Sequence, residues 1–545
     1  MDDLFGRLRY LIIDDFEQMR VSFKGMLTGF GATEIETAAC GEQGLKALSL
    51  RCYDVVICDY NLGDGKDGQQ VLEEARHLDY LGHACCFFMV TAESNMPMVL
   101  GALEQQPDEY MVKPINADVL QHRLAAVLKR KRQLREIDQA LTDGDKLGAI
   151  ELCEKQQNKD LKQRLYLAKL QSELCLDLAR YEDAEAIYRQ MLKIRDFPWA
   201  NFGLGKIDFY RGELEKAAGR FHALIEENPH YLEVYDWQAK VLAAQGELKQ
   251  AQALLQQAVK LSPKLVSRQR YLGQLALENG DGTLAERAFQ AAVRWGENSC
   301  FAKAEEYRRL GDIYQNAGNM PKLLRLLADG RKRFAERPSD QLQLISRQAM
   351  AKRMADEKLS IEAYLEEIDR LVREHKGLLA AEDLLAAAGD LFRVSCHEQA
   401  ERLLSLLLRN HHDEDEWIER VRQLMQRFRR GCEADTLIEE SRGELKRIHA
   451  ECVGLLQQGG VVEAISLLNE TVDQYPSNRT IILMSVSAMI DYMREQGEVP
   501  GYHFRCRYAL NRLLERDRRD VTAEKFLHRL NQLPAKPVEE LSVAG

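Results

Sequence analysis

Five times within the first 128 residues, a short run of β-formers gives way to an amphipathic stretch, and that alternation leaves little choice of fold. The apolar runs cover 9–13, 33–38, 53–58, 86–90 and 109–112, and the helical patterns between and after them cover 16–28, 43–50, 69–78, 95–104 and 116–131. Strands separated by single helices require right-handed crossovers, so the segment predicts a five-stranded, doubly wound parallel sheet. The central run, with Val55, Val56 and Ile57 in succession, reads as a strand buried on both faces.

In such a sheet, chemistry gathers beyond the carboxyl ends of the strands. The first strand finishes in Asp14-Asp15, the third in Asp59, the fourth in Thr91-Ala92 and the fifth in Lys113-Pro114. Three carboxylates, a hydroxyl and an ammonium group are thus predicted at one edge. Clustered carboxylates repel one another unless a hard divalent cation compensates them, and an all-oxygen site suits Mg²⁺. A phosphoryl group could then transfer to one carboxylate, its oxygens stabilised by the lysine, the hydroxyl and the metal. Taken singly, Asp14-Asp15 could cap a helix and Asp59 could be a turn residue; their occurrence at successive strand ends argues for a site.

The set Asp14-Asp15-Phe16 with Met19-Arg20, Asp59-Tyr60-Asn61, Thr91-Ala92-Glu93 and Tyr110 with Lys113-Pro114 resembles a response-regulator receiver domain of two-component signalling, a flavodoxin-like α/β fold. The resemblance covers residues 1–128. It implies that Asp59 is the phosphoacceptor, with Asp15 a direct and Asp14 a water-mediated Mg²⁺ ligand, and the Asn61 backbone carbonyl completing the metal site. It further implies that Lys113, Thr91 and Ala92 bind the phosphoryl group, that Tyr110 swings inward when Thr91 moves, and that Asn61 and Glu93 tune dephosphorylation. The phosphodonor it implies is a sensor histidine kinase. One departure stands out: Asp59 lies nine residues before Gly68, where the family usually has eight, and Gly63 replaces the usual loop proline.

Beyond residue 133 the sequence becomes helix-forming and periodic. Gly205, Gly212, Ala217, Phe221 and Pro229 recur 34 residues later as Ala239, Gly246, Ala251, Leu255 and Pro263, and again as Gly273, Gly280, Ala285, Phe289 and Glu297. Fainter echoes are Gly144 with Ala149, Ala184 with Tyr188, Gly311 with Gly318, Ala400 with Leu404, and Gly459, Ala464, Leu468 and Pro476. The first small residue lets two antiparallel helices approach, the glycine takes the turn, and the large residue fills the core between units. This pattern resembles the tetratricopeptide (TPR) repeat. The expected organisation is TPR-like repeats over 133–335 (clearest at 198–297), degenerate helical repeats over 336–535 and a disordered tail at 536–545.

Such an all-α solenoid binds protein partners in a groove. The resemblance places Lys206, Phe209, Tyr210, Asp236, Lys240, Arg270, Gln274, Arg308 and Asp312 on the groove-lining helices. Two further features invite chemistry and are read conservatively. The basic run Lys129 to Arg132 is read as a solvated helix leading into the next domain, and His411-His412 as a polar inter-helix loop without further metal ligands nearby.

Composition excludes more than it selects. A net charge of −11 argues against a broad nucleic-acid surface. The twelve cysteines fall at no metal spacing and read as reduced, apolar residues. No window carries the roughly 18 apolar residues of a membrane span, and the first apolar run is too short for a signal peptide. The expectation is a cytoplasmic, non-enzymatic response regulator whose helical region binds an unidentified protein. The alternatives are a DNA-binding regulator with a cryptic C-terminal domain, or an enzyme effector.

Overall fold

The computed structural model describes residues 5–533 apart from 83, 93–95, 133, 157–160, 357, 498, 500, 518 and 519. The N-terminal part contains β1 (Arg9–Ile13), α1 (Glu17–Gly29), β2 (Glu34–Ala38), α2 (Gly41–Leu50), β3 (Val55–Asp59), α3 (Gly68–His77), β4 (Cys86–Thr91), α4 (Met96–Glu104), β5 (Glu109–Val112) and α5 (Ala117–Arg132). The strands form one parallel sheet in the order β2-β1-β3-β4-β5.

Side-chain alternation along the strands feeds two cores. Leu11, Ile13, Val56, Cys58, Phe87 and Met89 pack with α2 and α3 on one face. Tyr10, Ile12, Val55, Ile57, Phe88 and Val90 pack with α1 and α5 on the other. Because β3 and β4 are buried at every position, they read as continuous apolar runs rather than alternating ones. The reversal of connection direction lies between β1 and β3, which sets their carboxyl ends side by side.

The remaining described residues are helical. After α6 (Arg135–Thr142) and α7 (Lys146–Gln156) come α8 (Leu161–Asp177) and α9 (Tyr181–Leu192), α10 (Pro198–Tyr210) and α11 (Leu214–Glu227), α12 (Leu232–Ala244) and α13 (Leu248–Leu261), and α14 (Val266–Glu278) and α15 (Gly282–Gly296). The helices α10, α12 and α14 begin 34 residues apart, at Pro198, Leu232 and Val266. Gly212, Gly246 and Gly280 take φ of +76°, +83° and +74° at the turns within three successive pairs. A Cβ on Gly205 would lie 2.5 Å from the Phe221 ring, and one on Gly273 2.8 Å from that of Phe289, so only glycine allows those helices to close. Even the turn-closing hydrogen bonds recur at 34 residues: Tyr235 Oη donates to the Pro229 carbonyl (3.1 Å) and Gln269 Nε2 to that of Pro263 (2.8 Å).

The same left-handed turn also occurs without glycine, at Ala179 (φ +53°), Ser395 (+63°) and Arg429 (+60°). Those helix pairs escape a search keyed to glycine, which explains why the repeat pattern fades on both sides of 198–297. The chain divides into two compact units, Met1–Ala302 and Lys303–Gly545. The first therefore contains both the α/β part and the clearest repeats.

The basic run at the end of α5 corrects the expectation of a solvated helix. Lys131 is buried, donates to the Cys85 carbonyl, and pairs with Asp108 at 2.9 Å. Arg130 lies over the Tyr166 ring. His411 does sit in an inter-helix connection, but it is buried, with Nδ1 2.8 Å from Glu414 and 2.6 Å from Arg516.

Candidate functional site

The carboxyl ends of β1, β3 and β5 deliver Asp14, Asp59 and Lys113 to one point. Lys113 Nζ lies 3.0 Å from both Asp14 Oδ2 and Asp59 Oδ2. Asp14 is held by the Phe16 amide, which donates to its Oδ1 at 2.9 Å, and Asp59 Oδ1 accepts from the Tyr60 amide at the same distance. Arg20, one turn into α1, clasps the main chain below by donating to the carbonyls of Asp14 (2.7 Å) and Asp15 (3.0 Å). Thr91, buried at the end of β4, is tied to Lys113 through the main chain, its carbonyl accepting from the Lys113 amide at 2.7 Å.

One ammonium shared by two buried carboxylates leaves negative charge in excess. Burial, with Asp14 nearby, raises the Asp59 carboxyl to about 6 despite Lys113. Burial acts against the Lys113 charge, but its hydrogen bonds to Asp59 and Asp14 outweigh it and hold the ammonium above its usual range.

The residues fit a divalent cation. Asp14, Asp15 and Asp59 each offer an oxygen, all within 4.8 Å of one another, the single such cluster among the described residues. Asp15 Oδ1 is buried without a hydrogen-bond partner among the described residues, as suits an oxygen that coordinates a cation. An all-carboxylate donor set is what a hard cation takes.

The longer loop after Asp59 closes tightly all the same. Gly63 (φ +74°) and Gly65 (φ +98°) turn it, and the Gly68 amide donates to the Tyr60 carbonyl at 2.8 Å. A Cβ on Gly68 would fall 2.1 Å from the Asp59 carbonyl oxygen. Asn61 is exposed in this loop, Ala92 is exposed beyond β4, Tyr110 is half-buried on β5 facing the α3 core, and Glu93 lies outside the described residues.

A model of the response regulator receiver domain matches residues 10–125. The chain is 31% identical over 123 residues to "Chemotaxis protein CheY" of Pseudomonas aeruginosa, covering 98% of that protein and 23% of this chain. The chain belongs to the response regulator receiver family. Its receiver is also 36% identical over 120 residues to "Transcriptional regulatory protein AfsQ1" of Streptomyces coelicolor, spanning 51% of that protein and 22% of this chain. Among solved structures, a CheY-like receiver domain protein from Methanospirillum hungatei is 27% identical, with 23% of this chain and 97% of that chain covered and a TM-score of 0.22. These likenesses lie in the receiver. No described helix is long and apolar enough to cross a membrane.

The nine residues expected to line a groove are not all available to a partner. Lys206 pairs with Glu233 at 3.1 Å and lies over the Phe202 ring, Lys240 lies over Trp237, and Phe209 and Tyr210 stack edge-on against that same tryptophan. Asp236 is bound to Arg268, and Arg270 donates to the Phe301 carbonyl at 2.6 Å. Gln274 is half-buried on α14. In the second unit, Arg308 is half-buried and Asp312 pairs with Arg347.

Sequence reasoning missed the residues on the repeats that touch the receiver. Lys264, between α13 and α14, pairs with Asp67 at 2.8 Å and donates to Tyr60 Oη at 3.2 Å. Arg268 on α14 bridges Glu104 of α4 (2.6 Å) and Asp236 (2.7 Å). The only sequence signal for these was the extra loop residue. The loop it lengthens also meets Asn298, which donates to the Gly65 carbonyl at 2.9 Å and accepts from Lys66 Nζ at 3.0 Å.

Proposed function

We propose that the chain is a phosphorylation-controlled response regulator with Asp59 as phosphoacceptor and the helical repeats as a protein-binding output. The observation that carries this reading is the convergence of Lys113 on Asp59 and Asp14 beside the unsatisfied Asp15 oxygen. Asp14, Asp15 and Asp59, with the Asn61 carbonyl, are the residues that would hold Mg²⁺. Bound there, the ion neutralises charge on the phosphoryl oxygens.

A carboxylate oxygen of Asp59 attacks phosphorus while the bond to the donor breaks, its electron pair leaving with the donor: the imidazole of a histidine kinase or the acetate of acetyl phosphate. Lys113 then pairs with the transferred group instead of with Asp59, and the Thr91 hydroxyl donates to it. Tyr110 follows Thr91, repacking the face of α4, β5 and α5. The repeats, read as TPR-like from their 34-residue period and glycine turns, carry the response to a partner. Acetyl phosphate with Mg²⁺ labels the wild type and not Asp59→Asn. Equal labelling of the two proteins rules the reading out.

A further inference from the structure

The receiver is not tethered beside the repeats; it is seated on them. Leu100 of α4 enters a socket of Leu232, Tyr235 and Ala258, where the ends of α12 and α13 meet. One turn further on, Glu104 receives Ser262 Oγ at 2.6 Å and the Arg268 guanidinium at 2.6 Å. Arg268 is only 1% exposed, so its charge depends on Glu104 and Asp236. Gly101 lies between the two, and a Cβ there would make an ordinary contact with Ser262 Oγ at 3.4 Å and a tighter one with Gln69 Oε1 at 3.1 Å.

A second contact begins at the phosphoacceptor itself. Tyr60, next in sequence to Asp59 and 4% exposed, accepts from Lys264 and lies beneath its ammonium, while Asp67, the N-cap of α3, takes the other bond from Lys264. Gly68 packs against the Asp59 carbonyl, so both ends of the loop are pinned to the strand end that would change on phosphorylation.

We propose that Lys264, Arg268 and the Leu232–Tyr235–Ala258 socket form a binding site for an acidic helix. The receiver's own α4 fills this site while Asp59 is unmodified, and phosphorylation of Asp59 vacates it. The partner is thereby defined by the occupant: a protein helix with a leucine and a glutamate four residues apart, as Leu100 and Glu104 are. The acyl phosphate carries nearly two negative charges where the Asp59 carboxylate carried one, beside Asp14, within a loop whose Tyr60 and Asp67 are already fastened to one lysine. Any displacement of the β3 end therefore pulls on that fastening, while the α4 movement withdraws Leu100 and Glu104. Burying the site in cis keeps the partner out until then.

This rests on Asp59 being the phosphoacceptor, and the test separates the two. In the full chain, amide hydrogen exchange is followed with and without Mg²⁺ and beryllofluoride, a phosphoryl mimic. The wild type is expected to exchange faster over 99–105 and 262–270 once the mimic binds, and Arg268→Glu to exchange fast in both states. Lys264→Met, which leaves no charge buried in the core, gives the same direction should Arg268→Glu fail to fold. Because coupling is reciprocal, both variants should bind the mimic at least about fivefold more tightly. A helix-stapled peptide of residues 96–107 should bind the mimic-treated wild type at least about fivefold better than the untreated protein, and Arg268→Glu hardly at all. Protection around Asp59 with unchanged exchange over 262–270, or peptide affinity indifferent to the mimic, overturns the proposal and leaves the phosphoacceptor reading standing. Absence of any response, with no labelling of Asp59, removes both.

Discussion

The receiver and the repeats it sits on are legible to different depths. In the receiver, each functional side chain stands at a strand end, so fold and chemistry are written by the same few positions. Topology predicts Asp14, Asp59 and Lys113 at one edge of the sheet, and the Lys113 ammonium lies 3.0 Å from each carboxylate. In the repeats, the positions that recur are those that pack: Gly205 against Phe221, Gly273 against Phe289, and the glycine turns. The contacts of the repeats with the receiver are made by positions that do not recur. Arg268, Lys264 and Ser262 carry no motif, and their role becomes visible only when the receiver is found on top of them. A repeat reveals its architecture because architecture must repeat; recognition need not.

This contrast can be tested, beginning with the largest expected effect. Gly68→Ala forces a Cβ to within 2.1 Å of the Asp59 carbonyl oxygen. Chemical denaturation should show the first unit destabilised by roughly 3 kcal/mol, with acetyl phosphate labelling lost as well. A comparable alanine at Gly212, which has open space around it but φ of +76°, should cost about 1 kcal/mol. Equal costs would mean that the receiver loop is no tighter than a repeat turn.

Glu73 on α3 gives a pH test of similar size on the receiver side, its carboxyl also feeling Lys264 of the repeats. Burial raises its carboxyl to about 7, against the Gln69 side chain, which donates to it at 3.1 Å. Its folded value lies above its unfolded one, so the folded state keeps a proton that the unfolded chain has lost. This group's contribution is therefore most favourable below the unfolded value near 4.5 and is lost as the pH rises through about 7. The thermal midpoint of the first unit should fall across that window, and Glu73→Gln should flatten the fall, removing a penalty of roughly 3 kcal/mol at pH 8. An unchanged pH profile in the variant would assign the slope elsewhere.

The smallest effect is in the helical repeats. Ala179, Ser395 and Arg429 hold the left-handed turn that glycine holds at Gly212, Gly246 and Gly280. Replacing any one of the three by glycine should raise stability by about 0.5–1 kcal/mol, measured by denaturant midpoint. A loss of stability would mean that these turns are not equivalent to the glycine ones.

Legibility failed in particular places, each for a physical reason. The extra residue in the loop after Asp59 was visible as a departure from the family spacing, but its consequence was not. It carries Gly65 and Lys66 out to Asn298, a contact spanning more than 200 positions that no local pattern encodes. A basic run such as Lys129 to Arg132 predicts solvated side chains, whereas Lys131 is drawn inside by the Cys85 carbonyl and Asp108. Asp236 is expected to face a groove, yet Arg268 on α14 pairs with it at 2.7 Å.

The central claim is that Asp59, among three clustered carboxylates, is the one that accepts the phosphoryl group. Borohydride reduction of the acetyl phosphate-treated protein converts an aspartyl phosphate to homoserine, and peptide mass spectrometry locates it. The account predicts homoserine at position 59 and none at 14 or 15; reduction at either of those, or nowhere in the receiver, contradicts it.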